Sequence, residues 1–400
     1  MSIVKINRSQ LEGGVIIPPS KSAAHRALIC SFLAGEGNVT PIIDSNDMRA
    51  TVGVIEALKN SKVVLDCIES GSTLRFMIPV AAALGKAVTF TGQGRLPQRP
   101  IGEYLDILPA HGVSVKCDGT LPMEISGQLK NGSYEVSGDV SSQYITGLLL
   151  ALSVLDGDSA IILKTSLQSK PYVDMTVKVM NDFGVKVMET DFGYLIHGNQ
   201  KYNRLDYVVE GDWSQAAFFL VAGAISGDVT VSGLDMNTTQ GDKAILDVLA
   251  SFGVQLEIND DSVRCVKSVL KGTVVDATDI PDLVPIIAVL AAFAEGQTVI
   301  QGAERLRYKE SDRIESVVEN LKLIGADVTE TADGMIINGG IPLHSAQLKG
   351  YNDHRIVMAF SIAGLLLNGE TMIDDAQSIN KSYPSFFEDY NRIGGRADVL

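Results

Sequence analysis

The stretch DIPDLVPIIAVLAAFAEGQTVIQG, residues 279–302, decides the fold. Residues 284–294 are apolar on all sides, so the pattern predicts a helix with no face turned to water. The run is too short to cross a bilayer. It stops at the glycine turn AEGQT, and TVIQG reads as a strand. A second helix follows in IESVVENLKLIGADVT, residues 314–329. This one is amphipathic, ends at Gly325 and leads into another short strand. Buried helix, strand, amphipathic helix and strand make one unit of roughly 70 residues.

The unit recurs along the chain. Apolar helices begin near Ser20, Gly71, Ser141, Asp212, Asp282 and Asp353, at intervals of 51, 70, 71, 70 and 71 residues. Amphipathic helices with a glycine turn interleave with them, as in YLDILPAHGVSVK (104–116), MTVKVMNDFGVKVM (175–188) and ILDVLASFGVQLE (245–257). VGVIEALKNSKVVL (52–65) is a weaker copy, and FFEDYNRIGGRADVL closes the chain. The fold class is therefore α/β, with six repeated units in all. Ser20 opens the first unit and Glu210 the fourth. That predicts one three-unit domain over 20–209 and a second built from 1–19 with 210–400, the two crossovers forming a hinge.

Composition narrows the function. The net charge is -15 over 400 residues, which disfavours nucleic acid and anionic membranes unless positive charge is locally concentrated. Four scattered cysteines without a CxxC pair read as reduced thiols. The N-terminal MSIVKINRSQLEG is too polar for a signal peptide, so a soluble cytoplasmic protein is expected. Five histidines, none at metal-ligand spacing, give no metal site, and GQG at 92–94 is not a dinucleotide or P-loop fingerprint.

Positive charge is concentrated at the starts of the apolar helices and in the loops between units. The starts read SKSAAHR, ESGSTLR, SSQYIT, GDWSQ, DIPDLV and NDHR. Capping accounts for Ser141, Ser142, Ser214 and Asp353. It does not account for Lys21, Arg26, Arg75 or Arg355. A cation in the first turn opposes the helix dipole, and an anion bound between it and the free N–H groups would resolve the conflict. Loops add Arg95 and Arg99, Ser169 with Lys170 and Tyr172, Arg305, Arg307, Lys309, Arg313 and Lys381. Arg305 and Arg307 read as solvated surface, Arg99 as functional. Asp282 and Glu310 stand among these cations. Each has an ordinary reading, as a cap and as a surface ion-pair partner, and each could move protons.

Taken in order, PPSKSAAHRALI (18–29), QRPIGEYLDIL, SSQYITGLLLAL, SKPYVDMT, EGDWSQAAFFL, KESDRI, YNDHRIVMAF and NKSYPSFF resemble the 5-enolpyruvylshikimate-3-phosphate synthase family over essentially the whole chain. The resemblance implies an enzyme that transfers the enolpyruvyl group of phosphoenolpyruvate to the 5-hydroxyl of shikimate-3-phosphate and releases phosphate, by addition and elimination. It implies two similar domains, each of three βαβαββ-type units with buried helices, an inside-out α/β barrel. By motif, Lys21, Ser22, Arg26, Ser141, Ser142, Gln143, Ser169, Tyr172, Asp282 and Lys309 would bind shikimate-3-phosphate. Lys21, Gly71, Arg99, Gln143, Arg313, Arg355 and Lys381 would hold phosphoenolpyruvate. Asp282 and Glu310 would transfer protons with Lys21 assisting, and His354 would lie beside them. No metal or organic cofactor is implied, nor any partner beyond the two anionic substrates, and a monomer is expected. Glu69-Ser70-Gly71-Ser72 departs from the family's usual Asn-Ala-Gly-Thr.

Two alternatives stand beside this reading. The sister UDP-N-acetylglucosamine 1-carboxyvinyltransferases share the fold but usually carry a reactive cysteine before Arg-Pro, and GQGRLPQRP (92–100) has none. A non-enzymatic six-unit clamp would need basic exposed helices, whereas VVENLKLIGAD and ILDVLASF are mixed or acidic.

Overall fold

The computed structural model describes residues 2–400 other than Glu36. The chain divides into two compact units, Pro19–Val209 and Met1–Pro18 with Glu210–Leu400.

In the Pro19–Val209 unit the helices are α1 (Lys21–Leu33), α2 (Asn46–Lys59), α3 (Gly71–Ala83), α4 (Gly102–Ala110), α5 (Ser142–Leu152) and α6 (Lys170–Asp182). In the other unit they are α7 (Trp213–Ser226), α8 (Ile245–Ser251), α9 (Val284–Ala292), α10 (Arg313–Leu323), α11 (His354–Ala363) and α12 (Phe386–Arg392). The odd-numbered helices are the apolar ones, and they form the cores. Every residue of α7, α9 and α11 is buried. Each large apolar side chain so placed contributes about 1.5–3 kcal/mol. The even-numbered helices bury one face only. Small residues let the inner helices close up. A Cβ on Gly147 of α5 would stand 2.4 Å from the Arg75 carbonyl oxygen of α3, so only glycine permits that crossing.

Five of the six units carry a four-stranded sheet of one plan. Val64–Asp66 runs parallel to Val88–Thr91, which pairs antiparallel with Met123–Gly127, which pairs antiparallel with Val113–Lys116. The N-terminal strand Val4–Asn7 completes the last unit's sheet between Glu370–Ile373 and Ala397–Val399.

The first unit differs. Its sheet has two strands, Asn38–Thr40 parallel to Asp206–Val208. Among the described residues the antiparallel pair found in the other units is missing, and α2 leads directly to Val64–Asp66. This is the physical content of the short first interval, 51 residues where the others are 70 or 71.

Candidate active site

In the Pro19–Val209 unit, chemistry gathers at the starts of α1, α3 and α5. Ser20 caps α1 by accepting from the Ala23 N–H. Lys21, the first helical residue, points its ammonium at Asp47 in the first turn of α2, 2.6 Å away, with both side chains mostly buried. Ser22 follows, its carbonyl accepting from Arg26 at 2.7 Å.

Arg26 and Arg75 lie one turn further in than the first-turn argument assumed. Arg26 donates to the Thr176 hydroxyl at 2.7 Å and the Tyr172 carbonyl at 2.9 Å, and its guanidinium lies over the Phe76 ring. Burial pushes its pKa down to about 10, which leaves it charged at neutral pH. It ties α1 to α6. Arg75 donates to the Pro100 carbonyl and, at 2.7 Å, to Gln143 Oε1, while Gln143 Nε2 donates to Ser72 at 3.0 Å. Burial, then the neighbouring charge of Arg99, lowers the Arg75 pKa. A Cβ on Gly71 would lie 2.6 Å from an Arg99 terminal nitrogen and 3.0 Å from one of Arg75. Gly71, Arg75, Arg99 and Gln143 therefore share one corner, and the absent side chain of Gly71 makes room for the Arg99 fork. Glu69 turns against the neighbouring loop, where a Cβ on Gly94 would meet its carboxylate at 2.5 Å.

Ser141 caps α5 by accepting from the Gln143 N–H, and Ser142 is the first helical residue. Ser169 precedes α6 in the left-handed region at φ 54° and makes no side-chain cap. Tyr172 is one turn on and half-buried. Lys170 faces outward and pairs with Asp174 and Glu189.

The second cluster lies in the other unit and is organised around Arg313. Its side chain is 2% exposed and meets three carboxylates: Asp282 at 2.8 Å, Glu310 at 2.8 Å and Asp353 at 2.8 Å. Burial works against this charge, but Asp353, Glu310 and Asp282 outweigh it and raise the Arg313 pKa. Arg355 reaches Asp282 at 3.1 Å and the Ser214 hydroxyl at 2.9 Å. Lys309 stands 3.4 Å from Asp282. Burial alone would raise the Asp282 pKa. Arg355, Lys309 and Arg313 instead hold it well below the usual carboxylate range. His354 is buried beside Asp353, 3.8 Å away. Lys381 donates to the Asn352 carbonyl at 2.6 Å.

These contacts bear on the ordinary capping and ion-pair readings of the same residues. Asp282 caps neither the 3-10 turn Pro281–Leu283 nor α9, and its carboxylate faces cations instead. Glu310 is no surface partner, because the arginine it meets is buried. Ser214 is not a cap either. Asp212 caps α7, and the Ser214 hydroxyl bonds to it and to Arg355. Arg305 and Arg307 prove to be ties from their loop to neighbouring segments, Arg305 to the Thr278 carbonyl and Arg307 to Asp312 and Glu330.

Two residues escaped the sequence reading. Asp47 sits in an ordinary helix start, SNDMRA, and nothing local marks it as the partner of Lys21. Asp353 was explained as a cap, and it does accept from the Arg355 N–H at 2.9 Å. The same carboxylate also grips Arg313. The available signal was Arg313 itself, a cation on the buried side of the first turn of an amphipathic helix, where it needs more than one counter-charge.

The chain is similar to known proteins over nearly its whole length. The pattern of the family described as EPSP synthase (3-phosphoshikimate 1-carboxyvinyltransferase) matches residues 6–390. A protein named 3-phosphoshikimate 1-carboxyvinyltransferase from Clostridium kluyveri is 43% identical over 423 aligned positions, covering 100% of this chain and 99% of its own. A protein of the same name from Clostridium novyi is 42% identical with the same coverage. The first alignment is longer than this 400-residue chain, and the unit that falls short of the chain's own repeat is the first. Among solved structures, EPSP synthase from Acinetobacter baumannii matches with a TM-score of 0.82 and 26% identity, covering 100% of both chains. The enolpyruvyl transferase NikO from Streptomyces tendae shares the fold alone, at TM-score 0.79 and 19% identity, covering 100% of this chain and 99% of its own.

Proposed function

The chain belongs to the EPSP synthase family, and from that premise we propose that it is a 3-phosphoshikimate 1-carboxyvinyltransferase. It transfers the enolpyruvyl group of phosphoenolpyruvate to the 5-hydroxyl of shikimate-3-phosphate and releases phosphate. The observation that carries this reading is the buried Arg313, shared by Asp282, Glu310 and Asp353, in a chain matched by that family over nearly its whole length.

The chemistry asks for such a set. In the addition step the 5-hydroxyl oxygen bonds to C2 of phosphoenolpyruvate while its proton leaves and the methylene carbon gains one. In the elimination step the new methyl group loses a proton, the C2–O bond to phosphate breaks and the double bond re-forms. Each step needs one group to take a proton and another to give one. Asp282 is held ionised by its three cations, so it carries no proton of its own, and it gains proton affinity for the hydroxyl proton once the substrates' negative charge engages those cations. Glu310 shares Arg313 with Asp282, so a proton change on one is felt by the other. Lys21, Arg99, Arg355 and Lys381 supply positive charge for the phosphates and the carboxylate. Ser22, Ser141, Ser142, Gln143, Ser169, Tyr172 and Lys309 would orient shikimate-3-phosphate, and Gly71 would bring backbone N–H close to the donor. Arg26 supports this set by fixing Ser22 and Tyr172 from behind.

No described helix is long and apolar enough to cross a membrane. We place the enzyme in the cytoplasm as a monomer whose partners are its two anionic substrates.

The test is direct. Purified protein mixed with phosphoenolpyruvate and shikimate-3-phosphate should release phosphate, and a parallel reaction with UDP-N-acetylglucosamine should not. Release only in the second reaction would assign the chain to the sister activity, and release in neither would overturn the proposal.

A further inference from the structure

Lys381 rests on a turn that the backbone itself disfavours. Its ammonium donates to the carbonyl of Asn352, and the residue is 5% exposed. Asn352 and the preceding Tyr351 both adopt left-handed backbone, at φ 49° and 55°. Two consecutive side-chain-bearing residues stay there only if their surroundings hold them. Three carboxylates do so. Asp374 accepts from the Gly350 N–H at 2.5 Å, and Asp375 accepts from the Asn352 N–H at 2.9 Å. The Tyr351 hydroxyl donates to Glu319 of α10.

Asp375 has a second connection. It precedes the 3-10 turn Ala376–Lys381, at whose end Lys381 lies, and its other carboxylate oxygen accepts from Gln377 of that turn at 3.2 Å. One side chain thus joins the segment carrying the ammonium to the residue whose carbonyl receives it. The left-handed turn at Tyr351 and Asn352 leads straight into Asp353, His354 and Arg355. Asp375 is itself left-handed, at φ 53°, a conformation that aspartate, asparagine and glycine adopt more readily than other residues.

We propose that Asp375 is a positioning residue for Lys381. By pinning the Asn352 N–H it fixes the carbonyl on which the ammonium rests, and so sets where that charge meets phosphoenolpyruvate. The inference rests on the functional reading above.

Three substitutions separate the hydrogen bond from the backbone shape. Asp375→Asn keeps an acceptor and tolerates the left-handed backbone. Asp375→Gly keeps the backbone freedom and loses the acceptor. Asp375→Ala loses both. KM for phosphoenolpyruvate, kcat, calorimetric affinity for shikimate-3-phosphate and melting temperature are measured for each, with Lys381→Ala as reference. The Gly and Ala variants should raise KM for phosphoenolpyruvate on the order of tenfold, as loss of one well-placed hydrogen bond predicts. Shikimate-3-phosphate affinity should stay unchanged, and Asp375→Asn should restore KM to within about threefold of wild type.

A Gly variant with wild-type KM would show that only backbone shape matters and would overturn the proposal. So would an Asn variant as impaired as Gly, which would make charge the operative property. Loss that only follows the unfolded fraction would reduce Asp375 to a structural role. If wild type releases phosphate but Lys381→Ala leaves KM for phosphoenolpyruvate unmoved, the role given to Lys381 fails and this inference with it. If wild type releases no phosphate, the functional reading itself has failed.

Discussion

At the scale of single residues, the buried carboxylates carry the sharpest expectations. Asp282→Asn and Glu310→Gln keep size and remove charge. Each should bind shikimate-3-phosphate yet lose about 10²–10⁴-fold in kcat, the usual contribution of a general acid or base. Calorimetry for binding and phosphate release for rate separate the two effects, and near wild-type turnover in either variant removes that residue from the mechanism. The ionisation of Asp282 adds a pH test. Its folded pKa is depressed, so the stabilisation from its ion pairs is present above the unfolded value of ~3.9 and fades as pH falls through the folded one. Glu310 is the neighbour that pushes this pKa upward, so Glu310→Gln lowers it further. The residual rate of Glu310→Gln should therefore carry no acid limb above about pH 5, and a limb centred near 6 would show that the cations do not hold Asp282 ionised. Gly71→Ala tests the other unit. The added methyl meets Arg99 at 2.6 Å and must push its fork aside. KM for phosphoenolpyruvate should rise on the order of tenfold or more, since hydrogen bonds to charged groups contribute about 1.5–3 kcal/mol, with a melting temperature close to wild type. An unchanged KM would mean that Arg99 does not touch the donor from this position.

At the scale of elements, the start of α1 is best understood through its partner on α2. Read alone, Lys21 opposes the dipole of α1, and its removal should cost nothing. The ion pair changes that expectation. Lys21→Ala leaves the Asp47 carboxylate largely buried without its cation, which costs on the order of 1–3 kcal/mol, partly offset because Asp47 lies in the first turn of α2. Lys21→Ala with Asp47→Ala should recover most of that stability and none of the activity. Denaturant unfolding of the two single variants and the double variant gives the coupling directly. A double variant no more stable than Lys21→Ala would show that the pair contributes nothing to the fold. The same comparison marks what was legible beforehand. Helices, glycine turns and their order could be read because hydrophobic period and turn chemistry are local properties, as in residues 279–302. Lys21 was legible as a misplaced charge. Asp47, 26 residues away, was not, because which side chain answers a buried cation is decided by packing between helices. The double left-handed turn at Tyr351 and Asn352 was likewise hidden, since neither residue type requires it and Asp374 and Asp375 impose it from a distant strand end. The missing strand pair of the first unit was visible only as a short interval, without a cause.

At the scale of the whole molecule, the chain is two bodies of like construction, each with its own charged helix starts. Lys21, Arg99 and Gln143 belong to one, and Asp282, Glu310, Arg313 and Lys381 to the other. The proposed transfer assigns residues of both sets to the same two substrates, and on that proposal neither body completes it alone. The chain passes between the bodies only at Pro18–Pro19 and Val209–Glu210. A rigid-body movement can therefore be absorbed by backbone torsions at a few residues while the buried cores stay intact. Each substrate brings negative charge to groups now paired among themselves, such as Lys21 with Asp47 and Arg355 with Asp282. We propose that substrate binding draws the bodies together and so excludes the water that would compete for the reactive intermediate. Small-angle scattering should show the radius of gyration fall on adding shikimate-3-phosphate with a non-reactive donor analogue, toward the ~21 Å of a compact chain of this length. Shikimate-3-phosphate with Lys381→Ala and the same analogue should give a smaller fall, because one contact across the substrates is gone. A radius that does not change at saturation, in protein that still releases phosphate, would mean that the two sets already stand together before substrate arrives and that closure plays no part in the reaction.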